Sequence, residues 1–249
     1  MVTRTLYLAW QNKEGNKRQW FPIGRLDVES SSHRFRYIHG AERAQEETEF
    51  LPLLDFPDMN GDYRSEKLFS LFGNRVMASG RPERTAYLSN LGLPEDADPV
   101  QILSVNGGAR VTDAYEVFPK IETSDDGSFS CRFFLHGLRY VDQSARERLE
   151  RLQPGEKLDV TLQRDNPATG LAVQIWTTDG YMIGWTPRYL VDDLKKALDE
   201  KSDDRETQVR VVRINPHPAT SDQRALVEMR GHWNKHKPMS GRDFQPLID

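Results

Sequence analysis

Leu158-Asp159-Val160-Thr161-Leu162, Leu171-Ala172-Val173-Gln174-Ile175-Trp176 and Tyr181-Met182-Ile183-Gly184-Trp185 stand within 28 residues of one another, separated by turn signals. The first run alternates apolar and polar residues, the period of a half-buried strand. Asp165-Asn166-Pro167 ends it, and Asp179-Gly180 between the second and third runs is a hairpin signal. After the third run, Thr186 is placed to cap a helix with Pro187 at its first position. Leu190, Leu194 and Leu198 then recur at helical spacing. Three strands and one amphipathic helix are therefore expected between Gly137 and Leu198.

Outward from this stretch the pattern is mixed. Leu6 to Trp10, Trp20 to Leu26 and His33 to Ile38 read as strands, Leu68 to Phe72 and Arg81 to Leu91 as helices. Val209 to Ile214 and Leu226 to Met229 read as closing strands. Ile121 to Ser130 gathers acidic, Ser and Gly residues, as a domain seam does. The expected fold class is α+β: a mixed α/β module over 1–120, a linker over 121–130, and a small β-barrel with one or two helices over 131–249. Asp199 to Glu206 reads as a charged bridge, and the tail after Gly231 as polar and loose.

The chain has 249 residues, 37% apolar and 29% charged, ordinary values for a globular protein. A net charge of −4 confines any anion-binding site to a local patch. The N-terminal residues lack the apolar core of a signal peptide and no apolar run spans a membrane, so a cytoplasmic address is expected. Cys131 is the one cysteine; no disulfide framework follows, and it is expected to be buried rather than nucleophilic. The six histidines lack metal-ligand spacing, and His232 and His236 are read as solvated. Glu46-Glu47 and Asp192-Asp193 are read as exposed acids, and no Gly pair fits a phosphate loop or nucleophile elbow. The expectation is a binding protein, with no enzyme activity and no cofactor.

Gly137-Leu138-Arg139-Tyr140, Gln163-Arg164-Asp165-Asn166-Pro167, Leu171 to Ile175, and Gly184-Trp185-Thr186-Pro187-Arg188-Tyr189-Leu190 together resemble the HIRAN domain, a small β-barrel that captures the 3′ end of single-stranded DNA. The resemblance implies that Arg139, Tyr140, Asn166 and the Trp185–Arg188 turn contact the terminal nucleotide. The family follows Asn-Pro with Tyr-Asp, the ring stacking and the carboxylate gripping the 3′ hydroxyl. Here Ala168 and Thr169 stand there, which puts strict 3′-end capture in doubt. Thr169 keeps one hydrogen-bonding group.

The chemistry agrees with that reading. Single-strand binding needs rings for bases and cations for phosphates. Arg139-Tyr140 and Trp185 with Arg188 supply two such pairs, and Asn166 could bond a sugar or base edge. Each residue also has a structural reading: Tyr140 and Trp185 as covers of the barrel end, Arg139 as the partner of Asp142, Asn166-Pro167 as a turn.

Residues 1–119 resemble, more distantly, the non-catalytic N-terminal region of HipA-type serine/threonine kinases. The resemblance lies in Ile23-Gly24-Arg25-Leu26, Phe35-Arg36-Tyr37, Leu68 to Arg75, Arg81-Pro82 and Gly107 to Asp113. It implies docking on a kinase, without the phosphate loop, lysine and metal ligands of a kinase. The alternative is a generic α+β scaffold. Two functions are thus in view. One is an antitoxin-like or phage-defence accessory of a HipA-like kinase carrying a single-stranded DNA sensor. The other is a stand-alone single-stranded DNA-binding module in repair or processing.

Overall fold

The computed structural model describes residues 4–13, 18–30, 32–110, 112–199, 205–233 and 236–249. Val111 of the HipA-like motif and most of the Asp199–Glu206 bridge lie outside them. The chain divides into two compact units, one of residues 1–85, 96–120 and 239–249, the other of 86–95 and 121–238. Among the described residues no helix is long and apolar enough to cross a membrane.

In the first unit β1 (Arg4–Asn12), β2 (Gln19–Val28), β3 (His33–Tyr37), β4 (Tyr63–Ser65) and β5 (Tyr115–Pro119) form an antiparallel sheet in the order β4-β3-β2-β1-β5. It buries Leu6, Leu8, Ile23, Leu26, Phe35 and Tyr37 against Phe56 and Phe72. Phe35 stacks on Phe56 at 4.0 Å between centroids. Helix α1 (His39–Glu47) buries only Gly40, Ala41 and Ala44, a small-residue face without leucine periodicity. The helix expected from Leu68 is one turn, α2 (Ser70–Gly73); that expected from Arg81 is α3 (Arg84–Asn90), most of whose residues belong to the second unit. Helix α4 (Pro99–Asn106) starts at Asp98, whose carboxylate accepts from the Val100 and Gln101 amides while the Gln101 side chain accepts from the Asp98 amide. The C-terminal tail is ordered: His39 N donates to Gln245 O at 3.0 Å and Leu247 N to Tyr37 O at 3.0 Å.

In the second unit β6 (Ser128–Phe134), β7 (Lys157–Asn166), β8 (Gly170–Thr177), β9 (Met182–Trp185), β10 (Arg205–Ile214) and β11 (Ala225–Trp233) form an antiparallel sheet ordered β6-β11-β10-β7-β8-β9. Just beyond β6, His136 bridges Trp185 at the end of β9: His136 N donates to Trp185 O at 2.9 Å, and Trp185 N to His136 O at 3.0 Å. The expected barrel is thus a sheet whose two edges meet at one bridge. Its inner face buries Phe133, Leu158, Val173, Ile175, Ile183, Val209, Val211, Val227 and Met229. Helix α5 (Gln143–Glu150) brings Leu149 and helix α6 (Val191–Asp199) brings Leu194 into the buried set, Leu190 is buried just before α6, and Leu198 is exposed. Residues 86–95 belong here because Asn215 Nδ2 donates to Asn90 O at 2.9 Å and Arg213 donates to Ser89.

Three sequence expectations are corrected, one of them Asp193, which is buried rather than an exposed acid. Thr186 does not cap a helix: its amide continues the ladder to Val173 O at 3.0 Å, its hydroxyl is buried without a hydrogen-bond partner among the described residues, and a 3-10 turn at Arg188–Leu190 precedes α6. His236 is not solvated: its Nε2 lies 2.6 Å from Asp193 Oδ1 on α6, and its ring lies 5.2 Å from the buried Trp233. Among the described residues no group of three or more His, Cys, Asp or Glu could hold a metal ion.

Cys131 is buried on β6, and burial, with Glu228 secondarily, pushes its thiol up to about 12. Thiolate is the reactive form. Alkylation by iodoacetamide at pH 8, followed by mass spectrometry, is expected to be at least ~100-fold slower in the native protein than in urea. Comparable rates would show that the thiol reaches solvent in the folded chain.

Candidate nucleic-acid interface

The β7–β8 loop begins where Asn166 ends its strand. Asn166 Oδ1 accepts from Ala168 N at 3.0 Å and Thr169 N at 3.1 Å, an Asx turn that folds the loop back on itself. Asn166 Nδ2 donates to Gln163 Oε1 at 2.9 Å, and the same Gln163 oxygen accepts from Trp185 Nε1 at 2.9 Å. Thr169 Oγ1 has two acceptors for its one proton, Asn166 Oδ1 at 3.1 Å and Leu171 O at 2.9 Å. Leu171 O also accepts from Arg188 Nη1 at 2.6 Å. One network therefore joins Asn166, Thr169, Trp185 and Arg188 through Gln163 and the Leu171 carbonyl. The turn reading of Asn166 holds, because its oxygen is fully used within the loop.

Arg139 and Tyr140 enter from a 3-10 turn at Leu138–Tyr140, directly after Gly137. Gly137 has φ 72°, and a Cβ there would stand 2.5 Å from Trp185 Cε3, so the turn lies against the indole face. Tyr140 is 62% exposed, one of few large apolar side chains left in solvent, and does not cover the sheet's end. The Arg139 guanidinium sits 4.7 Å from its ring centroid. Asp142 is not Arg139's partner; it caps α5, accepting from Ala145 N at 2.7 Å and Ser144 Oγ at 2.8 Å. Helix α5 is tied to the β8–β9 turn by Arg148, which donates to Asp179 at 2.8 Å and to Glu156. Arg148's hydrogen bonds hold the Asp179 carboxyl down at about 2.

All six residues singled out in the sequence therefore lie on segments that meet at Trp185 or its hydrogen-bonded network. Their roles differ. Tyr140 and Arg139 are presented to solvent, while Asn166, Thr169 and one arm of Arg188 are spent on loop architecture. Gln163 is the residue that sequence reasoning left without a role. Its one signal is its place three residues before Asn166 on the strand.

Residues 128–228 match the family model of the HIRAN domain. The match runs from the first residue of β6 to the fourth of β11 and contains every residue of the network. Two solved structures are similar to this chain. A protein from Lactobacillus plantarum is 21% identical, with 43% of this chain and 100% of that one covered and a TM-score of 0.31. The HIRAN domain of human HLTF is 18% identical, with 46% of this chain and 86% of that one covered and a TM-score of 0.31. No curated protein matches the chain. The HipA-like resemblance of residues 1–119 rests on its sequence motifs alone.

Proposed function

We propose that the HIRAN domain of this chain binds single-stranded DNA by stacking a base on Tyr140 and pairing phosphate with Arg139, beside the half-buried Trp185. The observation that carries this reading is the exposed ring with its guanidinium already in place. A solvent-exposed aromatic–cation pair is what sequence-tolerant strand binding uses. The domain acts by binding, not by chemistry.

The Thr169 hydroxyl is engaged within its own loop, and Ala168 offers no ring. Binding is therefore expected to discriminate weakly between strand ends. In fluorescence anisotropy at fixed salt, Tyr140→Ala is expected to cost about 1–3 kcal/mol, a loss of about tenfold or more. Strands ending in a 3′ hydroxyl and a 3′ phosphate should bind within about twofold of each other. Ala168→Tyr with Thr169→Asp should tighten binding and create a preference for the hydroxyl end. Equal binding by wild type and the Tyr140 variant would remove the site.

The docking role read for residues 1–120 has one structural support. Leu51 and Leu54, in the loop after α1, are 77% and 99% exposed beside Glu49 and Asp55. Exposed aliphatics with an acidic rim suit a protein partner rather than a nucleic acid. Co-purification with a HipA-like kinase tests that reading, and a Leu51→Ser/Leu54→Ser variant should abolish any complex.

A further inference from the structure

The order of the second sheet places four strands side by side that the sequence keeps apart. Arg210 on β10 pairs across with Lys157 on β7 on one side and with Glu228 on β11 on the other. Glu228 in turn pairs with Arg132 on β6. Directly paired residues share a face of a sheet. Their sequence neighbours Leu158, Val209, Val211, Val227, Met229, Cys131 and Phe133 are buried, so this row points outward. Arg230, two residues along β11, points the same way. Glu228, 15% exposed at its side chain, accepts from Arg132 Nε at 3.1 Å and from Arg230 Nε at 2.6 Å. It holds two guanidinium groups that are themselves 45% and 70% exposed.

The same outward face carries the candidate site. Trp185 pairs with Gln174, Gln174 with Thr161, and Thr161 lies on the outer side of β7 with Lys157. In this row Lys157, Arg210, Arg132 and Arg230 stand with Asp159 and Glu228, four cations against two acids, in a chain whose net charge is −4; Arg210 also donates to Gly155 O at 3.0 Å, and Arg213 farther along β10 is turned to Ser89 and is not counted in the row. Paired strands stand about 4.8 Å apart, so the ladder offers cations at intervals that a single strand's phosphates can match.

We propose that this outward ladder of Lys157, Arg210, Arg132 and Arg230 is a second contact surface, which takes the phosphate backbone of a strand held by Tyr140 and Trp185. The inference rests on the strand-binding reading and extends it from a terminal contact to a track. The ladder supplies length and salt dependence; the aromatic site supplies stacking.

The test compares the full chain's anisotropy on oligothymidylates of about six and about twenty nucleotides over a range of salt. The Arg132→Gln/Arg210→Gln/Arg230→Gln variant should bind the longer strand about tenfold more weakly. Its salt slope should fall by about 2, since each single-strand phosphate contact carries about 0.7. Its affinity for the short strand should stay within about twofold of wild type. Glu228→Gln should tighten the longer strand about threefold, a gain that misfolding cannot imitate. An unchanged salt slope in the triple variant, or a folded wild type that ignores the longer strand, overturns the ladder. So does equal binding of a poly-glutamate peptide, which would assign the face to an acidic protein. Binding of the longer strand alone, lost in the triple variant, upholds the ladder and overturns the Tyr140 site instead.

Discussion

Gly137→Ala is expected to weaken strand binding at least ~10-fold and to destabilise the second unit by about 3 kcal/mol. Two costs combine. Alanine at φ 72° pays for the left-handed region, about 1 kcal/mol. Its Cβ also falls 2.5 Å from Trp185 Cε3 and 2.9 Å from Cζ3, distances no real pair of carbons keeps. The backbone cannot retreat, because the neighbouring His136 is bonded twice to Trp185's own backbone. The indole must move instead, which pulls Nε1 from Gln163 and loosens the amide that Gln163 shares with Asn166. Gly155→Ala separates the terms: φ there is 86° and nothing lies within 4 Å of the added carbon. That variant should lose only about 1 kcal/mol and bind strands normally. Thermal melting and anisotropy on both proteins decide, and a Gly137 variant as mild as the Gly155 one would detach the turn from the indole.

Five of the six strands described in the second unit were legible because each signal was local; β6 was not, since its first residues fall in the stretch read as a linker. Alternation at Leu158 to Leu162 and the Asp179-Gly180 turn need no knowledge of distant partners. The cap at Thr186 failed because Pro187 after it is extended, at ψ 150°, so the chain turns only from Arg188 and no first-turn amide reaches the Thr186 hydroxyl. Helices α1 and α4 were both missed: α1 buries only Gly40, Ala41 and Ala44, a face without leucine periodicity, while α4 starts at Asp98-Pro99, a cap and first-turn proline that were passed over. The site divides in the same way. Tyr140 and Arg139 are adjacent and easily read as a pair. Gln163 acquires meaning only when Trp185, 22 residues later, donates to it. His236 looked solvated because its partner Asp193 is 43 residues away. The cation ladder depends on β6 lying beside β11 and β10 beside β7, a strand order that no spacing along the chain encodes.

Asp27→Ala is expected to destabilise the first unit by about 3–5 kcal/mol, the cost of removing one partner from a buried ion cluster. Asp27 lies between Thr5 on β1, whose hydroxyl donates to it at 2.7 Å, and Arg36 on β3, whose Nη2 donates at 3.0 Å; Arg25 Nε completes the set at 2.9 Å. Arg36 is 7% exposed, and its Nε already lacks a partner among the described residues. Without the carboxylate, a buried guanidinium would keep only the Ile248 carbonyl at 3.1 Å. Arg36→Met should cost less, because Asp27 keeps Arg25 and Thr5 and an orphaned donor disappears. Burial works to raise the Asp27 pKa, but Thr5 and the two arginines outweigh it, so the folded value lies below the ordinary 3.8. A depressed folded pKa means stability that is fully present above about 3.8 and lost as pH falls through the folded value. Asp27→Asn should therefore flatten the acid limb of the first unit and leave that of the second unit unchanged. Hydrogen exchange resolved to the amides of β1 to β3 reads one unit apart from the other. An acid limb as steep in the Asp27→Asn protein as in wild type would place the proton uptake elsewhere, and equal losses for Asp27→Ala and Arg36→Met would show that the cluster is held as one pair rather than as three donors on a single carboxylate.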